Sequence, residues 1–380
     1  MIIKNISITG FRNLNVENLN LSPRINILHG MNAQGKTNCL EAMYFCAFGR
    51  PMRSNTDCDL INFNANTAHI CTQIQRRGSL FKLDAHIQKQ GSKAAKNLSI
   101  DHIPIKHMKE LFGVLLVVMF APEDLNLIKS GPAERRRFMD MEMCQLSPVY
   151  YTHLREYHRV LKQRNSLLKT MLKNQKSHRD ESQEDNLHVW DDQLSKYGVK
   201  IMQSRAKFVT HINSIAQEIH NNITQGKEKL KLTYTPNINS ADDYLEILSK
   251  SHMRDIMRGT TVNGIHKDDI NFTINDISAR NFGSQGQQRT AALSAKLAEI
   301  AVIKNNVSEM PILLLDDVLS ELDKHRQQFL LTQISDIQTI ITCTGLEDVL
   351  LTNKSKELGE YKIMHVENGI IYENPTPTKA

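Results

Sequence analysis

The chain has 380 residues, of which 40% are apolar and 23% charged, enough for two or three domains around at least one sizeable core and too apolar for a disordered chain. Lys and Arg outnumber Asp and Glu by 47 to 41, and the resulting +6 admits a polyanionic partner without requiring one, because basic residues also solvate surfaces. Six cysteines are scattered with no CxxC pair, which points to reduced thiols in a cytoplasmic protein and argues against a structural zinc.

The first residues, MIIKNISITG, alternate apolar and polar and read as a strand, not as a signal peptide. A short apolar run through Ile25, Ile27 and Leu28 then leads into Gly30-x-x-x-x-Gly35-Lys36-Thr37 and a helix carrying Leu40, Ala42 and Met43. Strand, glycine-rich turn and helix together are the context that a P-loop needs. Backbone N–H groups from Gly30 through Asn32, Ala33, Gln34, Gly35 and Asn38 would surround a phosphate at the positive end of the helix. Lys36 would reach the β and γ phosphates of ATP, and the Thr37 hydroxyl would ligate Mg²⁺.

The longest apolar run, Phe112–Ala121, is too short for a bilayer and reads as a buried strand, so no membrane is expected. Arg135, Arg136 and Arg137 follow Pro132 at a helix start. They either contact nucleic-acid phosphates or pair with carboxylates of the same chain, Glu123 and Asp124 being near in sequence. From there to Met257 the chain is helical and basic: Leu154, Tyr157, Leu161, Leu168 and Leu172 recur near helical spacing. The polar stretch Asn174–Asn186 reads as a loop before a second long helix, so the pair predicts a short antiparallel arm. Lys227, Lys229 and Lys231 alternate, as on an exposed strand face, and read as solvated. His266 beside Asp268 and Asp269 reads as a turn into the strand Ile270–Ile274 in preference to a metal site.

Asn281–Val302 combines a Gly-Ser-Gln-Gly-Gln-Gln turn with an amphipathic helix, and the turn holds no nucleophile, base or metal ligand. Further on, Ile312–Leu315 is a continuous apolar run, as in a parallel strand buried on both faces. It ends in Asp316 and Asp317, where open α/β sheets place their ligands. Asp316 would hold Mg²⁺ directly or through water, and Asp317 would orient or deprotonate an attacking water.

P-loop, S-x-G-Q turn, and apolar strand with two acids and S-x-L-D occur in the order found in the ATP-binding-cassette ATPase head, which this chain resembles. Between Gly30 and Ser284 lies more chain than a compact transporter ATPase needs, and far less than chromosome-maintenance ATPases insert. GFRNL at Gly10–Leu14, FAPEDLNLIKSGPAERRRFMD at Phe120–Asp140 and GIHKDDINFTIND at Gly264–Asp276 narrow the likeness to the bacterial RecF family, over Ile3 to about Glu367. The chain departs from the family pattern at Ile265 and Lys267, and at Pro51-Met52, while Arg53 is kept.

The resemblance implies an α/β fold, an ABC-type P-loop ATPase head of two lobes with an inserted helical arm. The ranges it suggests are 1–133 for the first part of the head, 134–257 for the arm, 258–372 for the second part, and 373–380 for a tail. It implies that Ser284, Gln285, Gly286 and Gln287 cap a nucleotide held by a second copy, that Ser320 and Asp323 form the D-loop, and that Arg12 approaches the nucleotide, a surface salt bridge being the alternative for Arg12. The implied activity is a weak, DNA-stimulated ATPase using Mg²⁺ that dimerises on ATP, sits on double-stranded DNA near single-strand gaps, and with RecR and RecO helps load RecA. Asp317, where transporters carry glutamate, implies slow turnover, and Thr342, Cys343 and Thr344 stand where transporters place a switch histidine. The alternative is an ATPase subunit of another DNA-maintenance or transport complex.

Overall fold

A computed structural model of the chain describes residues 1–174, 181–346 and 361–373. Two compact units divide the chain, Met1–Asp124 with Ile303–Ala380, and Leu125–Val302. These divisions differ from 134 and 257, and the reason is pairing. Segments 258–302 and 230–235 share a sheet, and the arm's arginines hold Asp255 and Asp268, so the S-x-G-Q turn belongs with the arm. Of residues 373–380, read from sequence as a tail, Glu373 instead ends the strand Ile370–Glu373, and 374–380 lie outside the described residues.

The first unit has two six-stranded sheets. One is antiparallel, in the order Leu14–Asn20, Ile2–Phe11, Thr67–Arg76, Ser79–Gln90, Lys93–Ile100 and Ile103–Pro104. The other runs Ile370–Glu373, Tyr361–Glu367, Ile25–His29, Thr339–Cys343, Ile312–Asp316 and Val117–Phe120, parallel except for the first pair. Two inner strands, Thr339–Cys343 and Ile312–Asp316, are buried at every position, which is why Ile312–Leu315 is a continuous apolar run and not an alternation. Only Val117–Phe120 of the run Phe112–Ala121 becomes a strand.

The P-loop helix, Lys36–Phe48, touches strands of both sheets and is buried nearly all round. From Cys39 onward its sequence is accordingly apolar all round except at Glu41. Burying each of its large apolar side chains contributes on the order of 2 kcal/mol. The helix stops at Gly49, whose left-handed φ of 60° returns its N–H to Phe45 O.

In the second unit the helices Pro148–Asn174 and Glu181–Thr224 run antiparallel, as the pairs Tyr150–Arg205, His153–Tyr197 and Arg164–Asp191 show. The second helix begins at Glu181, so residues 181–186 are helical and not loop as their polarity suggested, and 175–180 lie outside the described residues. The buried face of the first helix is Tyr150, Tyr157, Val160, Arg164 and Leu168. Leu154 and Leu161 are half-buried and Leu172 is exposed. The stripe is displaced because the interface is built around arginines. Arg164 is fully buried between Asp191 and Asp255, and Arg205 between Asp140 and Asp268. A three-stranded sheet, Ile277–Ser278, Asp269–Ile274 and Leu230–Thr235, completes the unit. Of the alternating lysines, Lys231 alone lies in that strand, and it is exposed.

Candidate functional site

Sheet register assembles the acidic end of the site. Asp316 lies opposite Thr342, and Thr342 opposite Leu28, so three strand ends finish level beside the P-loop. Thr37 Oγ1 donates to Asp316 Oδ1 at 2.7 Å, and Thr342 Oγ1 donates to the same oxygen at 2.8 Å. The Thr342 hydroxyl also accepts from Asp317 N at 3.0 Å, holding Asp317 in the left-handed region at φ 51°. Burial raises the Asp316 carboxyl above the ordinary carboxylate range, and the hydroxyls of Thr37 and Thr342 oppose that rise.

Lys36 Nζ donates to Gly30 O at 2.6 Å and Met31 O at 2.8 Å, so its ammonium is held across the mouth of the loop. Burial lowers its pKa, while Asp317, Cys343 and Asp316 raise it. Gly30 has φ 151°, and a Cβ there would stand 2.4 Å from Val366 O, so no other residue fits the turn. Asn32 and Ala33 are exposed at the tip.

The back of the loop is strapped to the far end of the chain. Asn368 N donates to Gln34 Oε1 at 2.7 Å, and Gly369 N to Gln34 O at 3.0 Å. Asn13 Nδ2 donates to Gln34 O, and Asn13 Oδ1 accepts from Asn38. Gly369 is required here, since a Cβ would come within 1.8 Å of Asn13 O.

Arg12, expected at the nucleotide, forms a two-bond pair with buried Glu41 on the P-loop helix, 3.0 Å and 3.2 Å. Arg53 binds the same carboxylate at 3.2 Å and donates to Asn38 Oδ1 at 2.8 Å. Burial works to raise the Glu41 pKa, but Arg12 and Arg53 outweigh it and hold the carboxyl below its ordinary value. Glu41, Thr342, Asn13, Asn368 and Gly369 were not picked out as site residues from sequence. Glu41 carried a signal, as the acid one turn after Thr37 in an otherwise apolar helix. The others depend on register and long-range contact.

The S-x-G-Q turn is a formed helix start in the second unit. Ser284 Oγ accepts from Gln287 N at 3.2 Å, and Gln287 Oε1 accepts from Ser284 N at 2.9 Å, a reciprocal cap for the helix Gln285–Val307. Ser284 and Gln285 are exposed, with Gly286 and Gln287 half-buried. Ser320 Oγ donates to Asp317 O at 2.7 Å, and Asp323 caps the helix Lys324–Gln333 by accepting from Arg326 N at 2.9 Å.

Arg135 is a correction. It is buried and holds Asp269 with two bonds, 2.6 Å and 2.9 Å, while donating to Leu127 O and Ser130 O, so it is spent on the fold and withdrawn from DNA. Its partner is neither Glu123 nor Asp124. Arg136 donates to Asp268 O at 2.7 Å, and Arg137 is exposed. His266 is a turn residue, bonded to Tyr157 and Thr261 O, and burial lowers its pKa to about 4.

The family model for the RecF/RecN/SMC N-terminal domain matches residues 2–371. The chain belongs to the RecF family. It is 43% identical over 375 residues to a DNA replication and repair protein RecF of Lachnospira eligens, covering 98% of this chain and 100% of that one. With the RecF of Lachnoclostridium phytofermentans the identity is 45% over 371 residues, 97% of this chain and 100% of the relative. A solved structure of the recombination mediator protein RecF-ATP in the RecFOR pathway superposes with a TM-score of 0.87 at 28% identity, covering 98% and 97% of the two chains. An Smc head domain from Pyrococcus furiosus matches at 0.54 and 15% identity, which supports the head fold alone. The α/β ATPase-head architecture expected from the motifs is thereby the observed one, and the RecF membership makes this an ABC/SMC-type ATPase. Among the described residues, no helix is long and apolar enough to cross a membrane.

Proposed function

We propose that the chain is an ATP-gated recombination mediator in DNA replication and repair. The observation that carries this is the convergence of Thr37, Asp316 and Thr342 beside a Lys36-bearing P-loop, in a chain that also presents an exposed S-x-G-Q helix start. The donor set fits Mg-ATP. A hydroxyl and a buried carboxylate meet at hydrogen-bond distance, and the lysine ammonium is held by carbonyls that a phosphate would replace. Mg²⁺ held by Thr37 and Asp316 would neutralise phosphate charge. Lys36 would pair with the β and γ phosphates, and Asp317 would orient the attacking water.

Ser284, Gln285, Gly286 and Gln287 would complete the site from a second copy, so that ATP closes a homodimer and hydrolysis releases it. Arg12 acts indirectly, bracing the P-loop helix through Glu41. The closed dimer would hold double-stranded DNA near single-strand gaps and, with RecR and RecO, help place RecA on strands coated by single-strand-binding protein. Arg137, with less exposed Arg136, remains in reach of the phosphate backbone. DNA would in turn stimulate a slow turnover.

The test is solution mass with Mg-ATP, ADP or no nucleotide, for wild type and Ser284→Arg. A dimer formed with ATP alone, and lost in the variant despite intact ATP binding, is expected. An ATP dimer that survives Ser284→Arg would refute the contribution in trans.

A further inference from the structure

Away from the P-loop, the second unit gathers metal-ligand chemistry at His188, Asp191 and His252, whose ligand atoms all lie within 4.8 Å of one another. His188 and Asp191 are three residues apart on the helix Glu181–Thr224 and share a face. His252 opens the helix His252–Arg258 and comes 61 residues after Asp191. Its Nε2 stands 2.5 Å from Asp191 Oδ2, and the rings of His188 and His252 are 5.0 Å apart. We propose that these three side chains bind one transition-metal ion of the zinc class, which fastens the helix His252–Arg258 to the long arm helix.

Donor type favours that class of ion. Two imidazoles and one carboxylate suit zinc and its neighbours, whereas magnesium and calcium prefer all-oxygen sites. Bonds of about 2.0–2.1 Å to a tetrahedral ion put its donors roughly 3.4 Å apart. The spacing here needs only side-chain rotation to reach that, and the exposure of His188 leaves a fourth position for water.

The carboxylate is already oriented as a ligand should be. Asp191 is fully buried, and its other oxygen accepts from Arg164 Nε at 2.7 Å. Arg164 is held in turn by Asp255 Oδ2 at 2.6 Å and Thr261 Oγ1 at 2.8 Å. Such outer hydrogen bonds fix ligand geometry in built metal sites. Two carboxylates against one guanidinium leave a net negative charge at the spot where a divalent ion would sit. A plain ion pair between His252 and Asp191 accounts for two of the three groups, but not for the convergence of His188 on them. The scattered cysteines argued against structural zinc, and this site uses none of them.

The test uses the full chain, stripped with EDTA and titrated with ZnCl₂ by calorimetry and with CoCl₂ by visible absorption. Wild type is compared with His188→Ala, an exposed position whose loss leaves the buried network in place. One zinc per chain, a tetrahedral cobalt spectrum without a thiolate band, and affinity lower in the variant by at least the roughly tenfold that loss of an outer-shell partner costs are expected. Zinc should also raise the melting temperature of wild type more than that of the variant, while the two melt alike in EDTA. Equal affinities, a thiolate charge-transfer band, or no saturable binding would overturn the proposal.

Discussion

Thr342→Val removes one hydroxyl and keeps the side chain's shape, which makes it a clean probe of how the acidic end is held. That hydroxyl donates to Asp316 Oδ1 at 2.8 Å and accepts from Asp317 N at 3.0 Å, and Thr342 is 1% exposed. A hydrogen bond to a charged group is worth about 1.5–3 kcal/mol, and a buried N–H left without a partner costs a similar amount. Asp317 is only half-buried, so water recovers part of the second loss. The net expectation is about 2–3 kcal/mol of stability lost, read from urea unfolding.

Burial already raises the Asp316 pKa, and losing Thr342 takes away one of the bonds that restrain it. A raised acid destabilises the fold only where it must ionise, so the deficit should be largest at neutral pH and narrow as pH falls through the raised folded values toward the ordinary carboxylate range. Calorimetry should show Mg-ATP affinity falling roughly tenfold or more, with little change when EDTA replaces Mg²⁺. An equal loss with and without Mg²⁺ would refute the assignment of Asp316 to the metal.

Asp317→Asn should keep ATP binding and the ATP-dependent dimer but abolish turnover and slow release from DNA, measured by phosphate production and dissociation after dilution. Arg205→Met leaves Asp140 and Asp268 without their buried cation, and about 3–5 kcal/mol of stability should be lost in denaturant titration. His266 has a pKa near 4 in the fold against 6.5 when free, so stability present above pH 6.5 should decline as pH falls toward 4. His266→Gln should flatten that part of the pH–stability curve, and an unchanged slope would contradict it.

What was legible in the sequence was whatever is encoded locally. Gly30 to Thr37 carries its own turn and helix start, and Ile312–Leu315 shows its burial in an unbroken apolar run. Thr342 was noted as a residue occupying a position, but its bonds to Asp316 and Asp317 follow from strand register, which single segments do not specify. The Arg12 pair with Glu41 was open for the same reason, since a basic side chain near a phosphate loop looks alike whether it meets ligand or carboxylate. Arg135 misled because density of charge is a surface signal, and here the positive charge is cancelled by an aspartate far along the chain. The arm helices were visible by period, and Tyr157 and Leu168 of the expected stripe are buried, while Arg164 and Arg205 at the interface carry no apolar signal.

The strap behind the P-loop bears on synthesis. The loop is made among the first forty residues, yet its strand lies between Thr339–Cys343 and Tyr361–Glu367, and Gln34 is held by Asn368 and Gly369. A ribosome-bound chain therefore carries the phosphate-binding sequence 334 residues before Asn368 and gains its backing only when that segment emerges. Products that stop short of Asn368 and Gly369 would lack a finished phosphate loop.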